Sequence, residues 1–247
     1  LKFIGSYLYV NKETAEAIYN YFLEQHSFLE IPGADSIIIE KFTDPDQEKK
    51  YLIFHTLYGR RVNDALSRAI GYIIGALGSR DIEVGISDNG FYLSGENMMI
   101  KRALENLKEK NMEKILKEAI DRTDVLARRF RHCATRALMI LRNYKGQRKT
   151  VGKQQMKSHF LLAAVKKISN EFPILREARR EILEDLMDIE NASLVLKWIE
   201  QGKTKVKVIE TKIPSPFSLN LIIQGHSDLI RIEDKQEFLR RMHQLHI

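Results

Sequence analysis

The chain is poor in cysteine, proline and tryptophan, with one, five and one among 247 residues. A single cysteine, Cys133, excludes an internal disulfide framework and a cysteine-based zinc site. It fits a reducing, cytoplasmic setting. No apolar run approaches the ~20 residues that a membrane helix needs. Residues 70–77 form one of the longest such runs, and Gly71 and Gly75 interrupt it. No membrane partner is therefore expected. The start shows no cationic stretch followed by an apolar signal core. It opens on Leu1 rather than Met, as a piece of a longer protein would.

Catalytic signatures are also missing. Gly202-Lys203-Thr204 has the tail of a phosphate-binding loop, but the required earlier glycine is Lys197, and the preceding residues read as a helix. His243 and His246 lack a third ligand nearby, so no metal site is expected. Glu184, Asp185 and Asp188 sit among Ile182, Leu183, Leu186 and Met187, the pattern of an amphipathic helix. No catalytic residue and no cofactor can be assigned to this chain.

The most informative absence is acidic. Residues 125–157 hold ten Lys and Arg and no Asp or Glu. Without them the net charge of +7 becomes 30 basic against 33 acidic side chains. A local cationic surface on an otherwise near-neutral chain points to a polyanion, and nucleic acid is the commonest one.

The periodicity within this segment predicts a helix from about Asp124 to Leu141. Its apolar stripe is Leu126, Phe130, Cys133, Ala134, Ala137, Leu138 and Leu141. Arg128, Arg129, Arg131, His132, Arg136 and Arg142 fall on the opposite side. Arginine suits phosphate because its planar fork engages two oxygens. The polar stretch that follows, with Tyr144, Lys145, Arg148, Lys149 and Lys153, reads as a basic loop, where Tyr144 can stack on a base. A second helix is predicted over 154–169, with Met156, Phe160, Leu161, Ala164 and Ile168 inward. The competing expectation is that the acids of 172–201, read as one helix, neutralise the arginines within the fold.

The rest of the pattern is α+β. Helices are predicted over 14–29, with Ala15, Ile18, Tyr19, Phe22 and Leu23 inward, and over 62–77. Strands are predicted over 37–42, 51–57 and 205–212, and a hairpin across Asp88-Asn89-Gly90. The stretch 213–217 holds two prolines and reads as irregular, and a last helix is predicted over 233–246. No linker forces a split. The expected organisation is one accessory unit over 1–247, with an α+β subregion (1–96) and a mainly helical subregion (97–247) carrying a strand near 205–212.

Several ordered segments resemble the large helicase-related (Lhr) proteins, DNA helicases of superfamily 2. They include Tyr58-Gly59-Arg60-Arg61-Val62-Asn63-Asp64-Ala65-Leu66, Arg129-Phe130-Arg131-His132-Cys133-Ala134-Thr135-Arg136, and Pro214-Ser215-Pro216-Phe217. The similarity is to the DEAD/H-associated region that follows the motor and winged-helix domains. It implies a parent that uses ATP and Mg to move 3′ to 5′ along single-stranded DNA. Such a parent would open DNA duplexes and RNA–DNA hybrids, with a role in repair. The resemblance makes this piece a nucleic-acid-binding accessory domain that packs on the motor and winged-helix domains. Arg60 and Arg61 would add phosphate contacts, although Arg61 can equally serve inside the domain. Some relatives carry a DNA-stacking Trp where Leu66 stands here, so Leu66 becomes either a wedge or a core residue. Two other readings stay open: a docking module without DNA contact, and a nucleic-acid-processing enzyme acting alone.

Overall fold

The computed structural model describes residues 1–45, 48–78, 82–121, 123–141, 143–144, 146–148 and 150–225. Helices α1 (Lys2–Leu8) and α2 (Lys12–Phe28) lead into strands β1 (Ser36–Thr43) and β2 (Lys50–His55). Helix α3 (Arg60–Leu77) and the hairpin β3 (Glu83–Ser87) and β4 (Gly90–Ser94) follow. Next come α4 (Ile100–Asn106), α5 (Met112–Ile120), α6 (Asp124–Arg136), a small hairpin β5 (Asn143–Tyr144) and β6 (Gln147–Arg148), and α7 (Val151–Ile168). Helix α8 (Pro173–Arg180) runs into a wide π turn at Glu181–Leu186. Then α9 (Ile189–Glu200), β7 (Lys205–Thr211) and α10 (Pro216–Gly225) complete the described chain. The fold is α+β.

The strand order is β3-β4-β2-β1-β7. The first four strands pair antiparallel, whereas β7 returns parallel to β1 with Ile39 opposite Val208. In β2 all residues but the first are buried, and β1 is buried over most of its length. Such continuous burial means that both sheet faces are covered. The period of two divides the side chains cleanly. Ile37, Ile39, Leu52, Phe54, Phe91 and Leu93 enter the main core with Val62, Leu66, Ala69 and Ile70 of α3. Phe42, Tyr51, Ile53 and Tyr92 face the other way, against Leu221 and Ile222 of α10.

The main core continues from the sheet through α3 into α5, α6, α7, α8 and α9. Gly90 closes the β3–β4 turn at a φ of 157°, and a Cβ there would lie 2.3 Å from the Phe54 carbonyl oxygen. Asn63, fully buried in α3, binds this turn: its Nδ2 donates to the carbonyls of Ser87 and Asp88 at 3.0 and 3.1 Å. Its Oδ1 accepts from Thr56 Oγ1 at 2.8 Å. These bonds fix the 56–59 loop and hence the start of α3.

The second sheet face carries a buried polar cluster that hydropathy patterns do not reveal. Glu40 and His55 come from β1 and β2, and Ser215 and Ser218 from the start of α10. Glu40 accepts from Ser215 Oγ at 2.8 Å, from Ser215 N at 2.9 Å and from Thr211 Oγ1 at 2.9 Å. Ser218 Oγ also donates to Glu40. His55 Nε2 lies 3.2 Å from Glu40 and 3.1 Å from Ser218 Oγ. Because the Ser218 proton goes to Glu40, the Nε2–H of His55 serves both oxygens. The Pro214-Ser215-Pro216-Phe217 segment is thus the start of α10, latched to the sheet. Pro216 takes the first helical position, where a missing N–H costs nothing. That corrects the expectation of an irregular stretch across Pro216 and Phe217.

Other element expectations needed adjustment. The 172–201 acids span two helices and a π turn rather than one helix. The predicted basic loop contains the β5–β6 hairpin. On α2, Ala15 is buried, but Tyr19, Phe22 and Leu23 are exposed. On α7 the inward residues are Ser158, Leu162 and Val165, so Met156, Phe160 and Ile168 face outward and Ala164 is exposed. The helix predicted over 233–246 lies outside the described residues.

Burial pushes the Glu40 carboxyl up, but hydrogen bonds from His55 and Ser218, the His55 charge and the Ser215 N–H outweigh it and hold it below the ordinary 4.5. A depressed folded pKa contributes stability above the ordinary carboxylate range, and that contribution is lost as pH falls through the folded value. Glu40→Gln is therefore expected to lose about 2 kcal/mol at neutral pH, since its bonds become neutral ones. Its Tm should also fall less steeply than that of the wild type below about pH 5. Thermal melts across pH check this; an unchanged acid slope in the variant would contradict it.

Candidate nucleic-acid interface

Helix α6 is shorter than its sequence pattern. Backbone bonds from Ala137 N to Cys133 O and from Leu138 N to Thr135 O close the last turn. Leu138 then adopts a left-handed φ of 59°. Leu126, Phe130, Cys133 and Ala134 form the buried stripe as expected. Ala137, Leu138 and Leu141 instead lie exposed, and Ile140 replaces them in the core. Burial and the nearby Glu181 charge push the Cys133 thiol up, so it packs as a neutral side chain.

The arginines of α6 divide into two sets. Arg129 Nη1 donates to Glu181 Oε2 at 3.2 Å, and Arg136 Nη2 donates to Glu181 Oε1. Arg136 also approaches Cys133 Sγ at 3.4 Å. Burial pushes the Glu181 carboxyl up, but the bonds and charges of Arg136 and Arg129 outweigh it and hold it below its ordinary value. The expectation of neutralisation inside the fold is therefore met at these two positions. Both were assigned to DNA from sequence, and their first duty is to pair a nearly buried carboxylate. The side chains remain 27% and 60% exposed.

The same turn takes Arg61. Its Nη2 donates to the carbonyls of Glu184 and Met187, the latter at 3.1 Å, while its own carbonyl accepts from Asp188 N. These π-turn carbonyls lack ordinary helical donors, and a guanidinium satisfies them. So the exposed Arg61 takes the reading in which it serves inside the domain. Leu66 takes the core alternative of the two: it is 3% exposed among the α3 and sheet side chains of the main core. A wedge against a base needs a side chain that reaches solvent, and Leu66 does not.

Arg128 is exposed and Arg131 half-buried, and neither makes an ion pair among the described residues. Together with Asp124 and Ala127 of α6 and Val151, Gln155, Ser158 and His159 of α7, they line a cleft of about 360 Å³. Lys153, on the first turn of α7, is exposed, as are His132 and Arg60. Arg142, Lys145 and Lys149 lie outside the described residues. The backbones of Tyr144 and Arg148 belong to the β5–β6 hairpin, and nothing is described of their side chains. Among the described residues, the cationic surface legible in the sequence lies on the free side of α6 and the first half of α7.

Two supports for this surface escaped the sequence pattern. Arg179, buried in α8, makes a two-pronged pair with Asp121 at 3.1 and 2.6 Å and donates to Asn170 O at 2.7 Å. Lys166 of α7 donates to Asp121 O at 3.2 Å. These bonds hold α7 and α8 to the corner before α6. No spacing signal links Asp121 to Arg179; only the fold brings them together. Among the described residues no cluster of three His, Cys, Asp or Glu is placed to hold a metal, and no helix is long and apolar enough to cross a membrane. Gly202-Lys203-Thr204 forms the turn after α9, with both Lys203 N and Thr204 N on Trp198 O.

Replacing Glu181 with Gln is expected to lower Tm while releasing Arg129 and Arg136 toward solvent. Binding of a labelled single strand should then tighten. Its log–log salt dependence should steepen by up to about 0.7 for each arginine that gains a phosphate. Anisotropy titrations at several salt concentrations read both; an unchanged slope would show that the freed arginines reach no phosphate.

Residues 31–218 match the model of the family described as DEAD/H associated. The ATP-dependent helicase Lhr-Core of Methanothermobacter thermautotrophicus is 50% identical over 245 residues, covering 99% of this chain and 28% of the relative. The ATP-dependent helicase Lhr-Core of Saccharolobus solfataricus is 42% identical, over 95% of this chain and 28% of that one. The chain thus spans less than a third of the length of these curated relatives. Among solved structures, Mycobacterium smegmatis helicase Lhr bound to ssDNA and AMP-PNP matches with a TM-score of 0.74 and 27% identity. That match covers 84% of this chain and 27% of that one. With a family match across most of its length, this chain belongs to the DEAD/H associated family.

Proposed function

We propose that this chain is the nucleic-acid-binding accessory unit of an ATP-dependent helicase that tracks 3′ to 5′ along single-stranded DNA. The observation that carries the reading is the pair Arg128 and Arg131, which face the α6–α7 cleft without a carboxylate partner among the described residues. Support also comes from relatives named as ATP-dependent Lhr-Core helicases and from the solved helicase Lhr bound to ssDNA. ATP and Mg would act in the motor of the parent, not in this chain. Contacts through arginine and lysine to phosphates carry no sequence information, as a translocating motor requires. Opening of duplexes or RNA–DNA hybrids, a role in repair and residence in the cytoplasm are parts of the same proposal.

Docking onto the motor and winged-helix domains is a second role, favoured by a separate observation. Phe3, Tyr7 and Tyr9 at the N-terminal end and Phe160 and Ile168 of α7 are large apolar side chains left largely open to solvent. Exposed apolar groups of this kind mark contact surfaces when they are contiguous. The two roles use different side chains and are compatible.

The paired arginines supply the control. Arg128→Gln with Arg131→Gln is expected to weaken binding of a labelled oligothymidylate and to flatten its salt slope by about 0.7 to 1.4, one or two phosphates at about 0.7 each. Arg129→Gln with Arg136→Gln should instead lower Tm, with the smaller effect on the slope. Equal strand affinity and equal slope in the Arg128/Arg131 variant and the wild type would remove the reading.

A further inference from the structure

Ser158 sits in mid-helix on α7, is 2% exposed, and its Oγ finds no hydrogen-bond partner among the described residues. A buried hydroxyl left unpaired is costly, and a serine in a helix ordinarily turns back to a carbonyl one turn earlier. This one instead lines the cleft that also holds Arg128 and Arg131. His159 and Gln155 stand beside it on the same helix, and Asp124 is the one carboxylate of the lining among the described residues. The N-terminal residue of α7, Val151, lines the cleft too, and the Thr150 side chain makes no capping bond there. An uncapped helix start adds partial positive charge at that mouth.

Two independent features therefore ask for the same ligand, a pair of guanidinium groups without an ion pair among the described residues and an orphaned hydroxyl, while the open helix start adds positive charge at the mouth. We infer that the α6–α7 cleft seats one phosphodiester group of a nucleic-acid strand, with Arg128 and Arg131 supplying charge and Ser158 Oγ donating to a phosphoryl oxygen. At about 360 Å³ the cleft has room for such a group with part of its sugar. The inference rests on the reading that a strand runs over this side of the molecule. It adds that one phosphate enters the cleft while its neighbours stay on the open surface. The hydroxyl is neutral, so it fixes position without adding to the salt dependence.

The test is anisotropy of a labelled oligothymidylate with the whole chain, comparing wild type, Ser158→Ala, Ser158→Thr and Gln155→Glu, with Tm recorded for each. Ser158→Ala is expected to weaken binding about tenfold, the worth of a hydrogen bond to a charged group, with the salt slope unchanged. Ser158→Thr keeps the hydroxyl and restores affinity. Gln155→Glu, on the exposed rim, places a negative charge at the mouth and weakens binding; it decides the matter alone if the buried substitutions unfold. Wild-type affinity in Ser158→Ala and Gln155→Glu, alongside loss in the Arg128/Arg131 variant, would overturn the cleft and leave the wider interface standing. Wild-type affinity in all of them would overturn both. Inorganic phosphate at matched ionic strength separates the two sources of phosphoryl oxygen. If it raises the Tm of the wild type but not of Ser158→Ala, and the strand does not compete, the cleft holds free phosphate and the inference is overturned.

Discussion

Everything about the basic surface depends on Glu181. A carboxylate this nearly buried needs positive partners, because an unpaired charge there would cost several kcal/mol. It takes Arg129 and Arg136 from α6. That pairing ties α6 to the turn after α8, and Arg61 closes the same turn from the far side by holding its carbonyls. Three arginines that composition would assign to a polyanion thereby gain partners within the domain. Their engagement leaves Arg128 and Arg131 distinct: one turn of helix places them on the side of α6 that faces α7, where no acid but Asp124 lines the cleft among the described residues. The interface is defined as much by the arginines it loses as by those it keeps.

Rigid backing makes such a surface useful. One core runs from the sheet through α3 to α6, α7 and α8, so the free side of α6 rests on packed side chains. Close-packed interiors transmit displacement instead of absorbing it. The Asp121–Arg179 pair fixes the corner from which α6 departs. On the opposite sheet face the Glu40 cluster anchors α10 through five polar side chains from four elements. A latch made of hydrogen bonds sets position more narrowly than apolar packing does, since each bond constrains both distance and direction.

Two of the quoted segments lie within the DEAD/H associated match, at places where the fold gives them a physical role. Tyr58-Gly59-Arg60-Arg61 is the entry to α3, with Gly59 at a φ of 83° and Arg61 on the π turn. Pro214-Ser215-Pro216-Phe217 is the start of α10, with Ser215 on Glu40 and Phe217 N on Gln25 Oε1. Both segments sit at places where one element meets another through its backbone.

By itself the sequence determined the α+β class, the positions of β1 to β4, α3 and β7, and the concentration of positive charge in 125–157. These are local properties: alternation, helical periodicity and composition act over a few residues and survive in any context. Tertiary structure decided which arginines remain available, because Glu181 and Arg129 meet across 52 residues and nothing in their spacing announces it. It also decided the inward face of α7. There Leu162 and Val165 pack while Phe160 does not, since two stripes of similar hydropathy compete and only the neighbouring helix chooses between them. The polar cluster of Glu40 in β1 and His55 at the end of β2 was likewise decided by tertiary structure. Their partners, Ser215 and Ser218, lie some 160 to 180 residues away, where only the folded sheet and α10 bring them within hydrogen-bond reach.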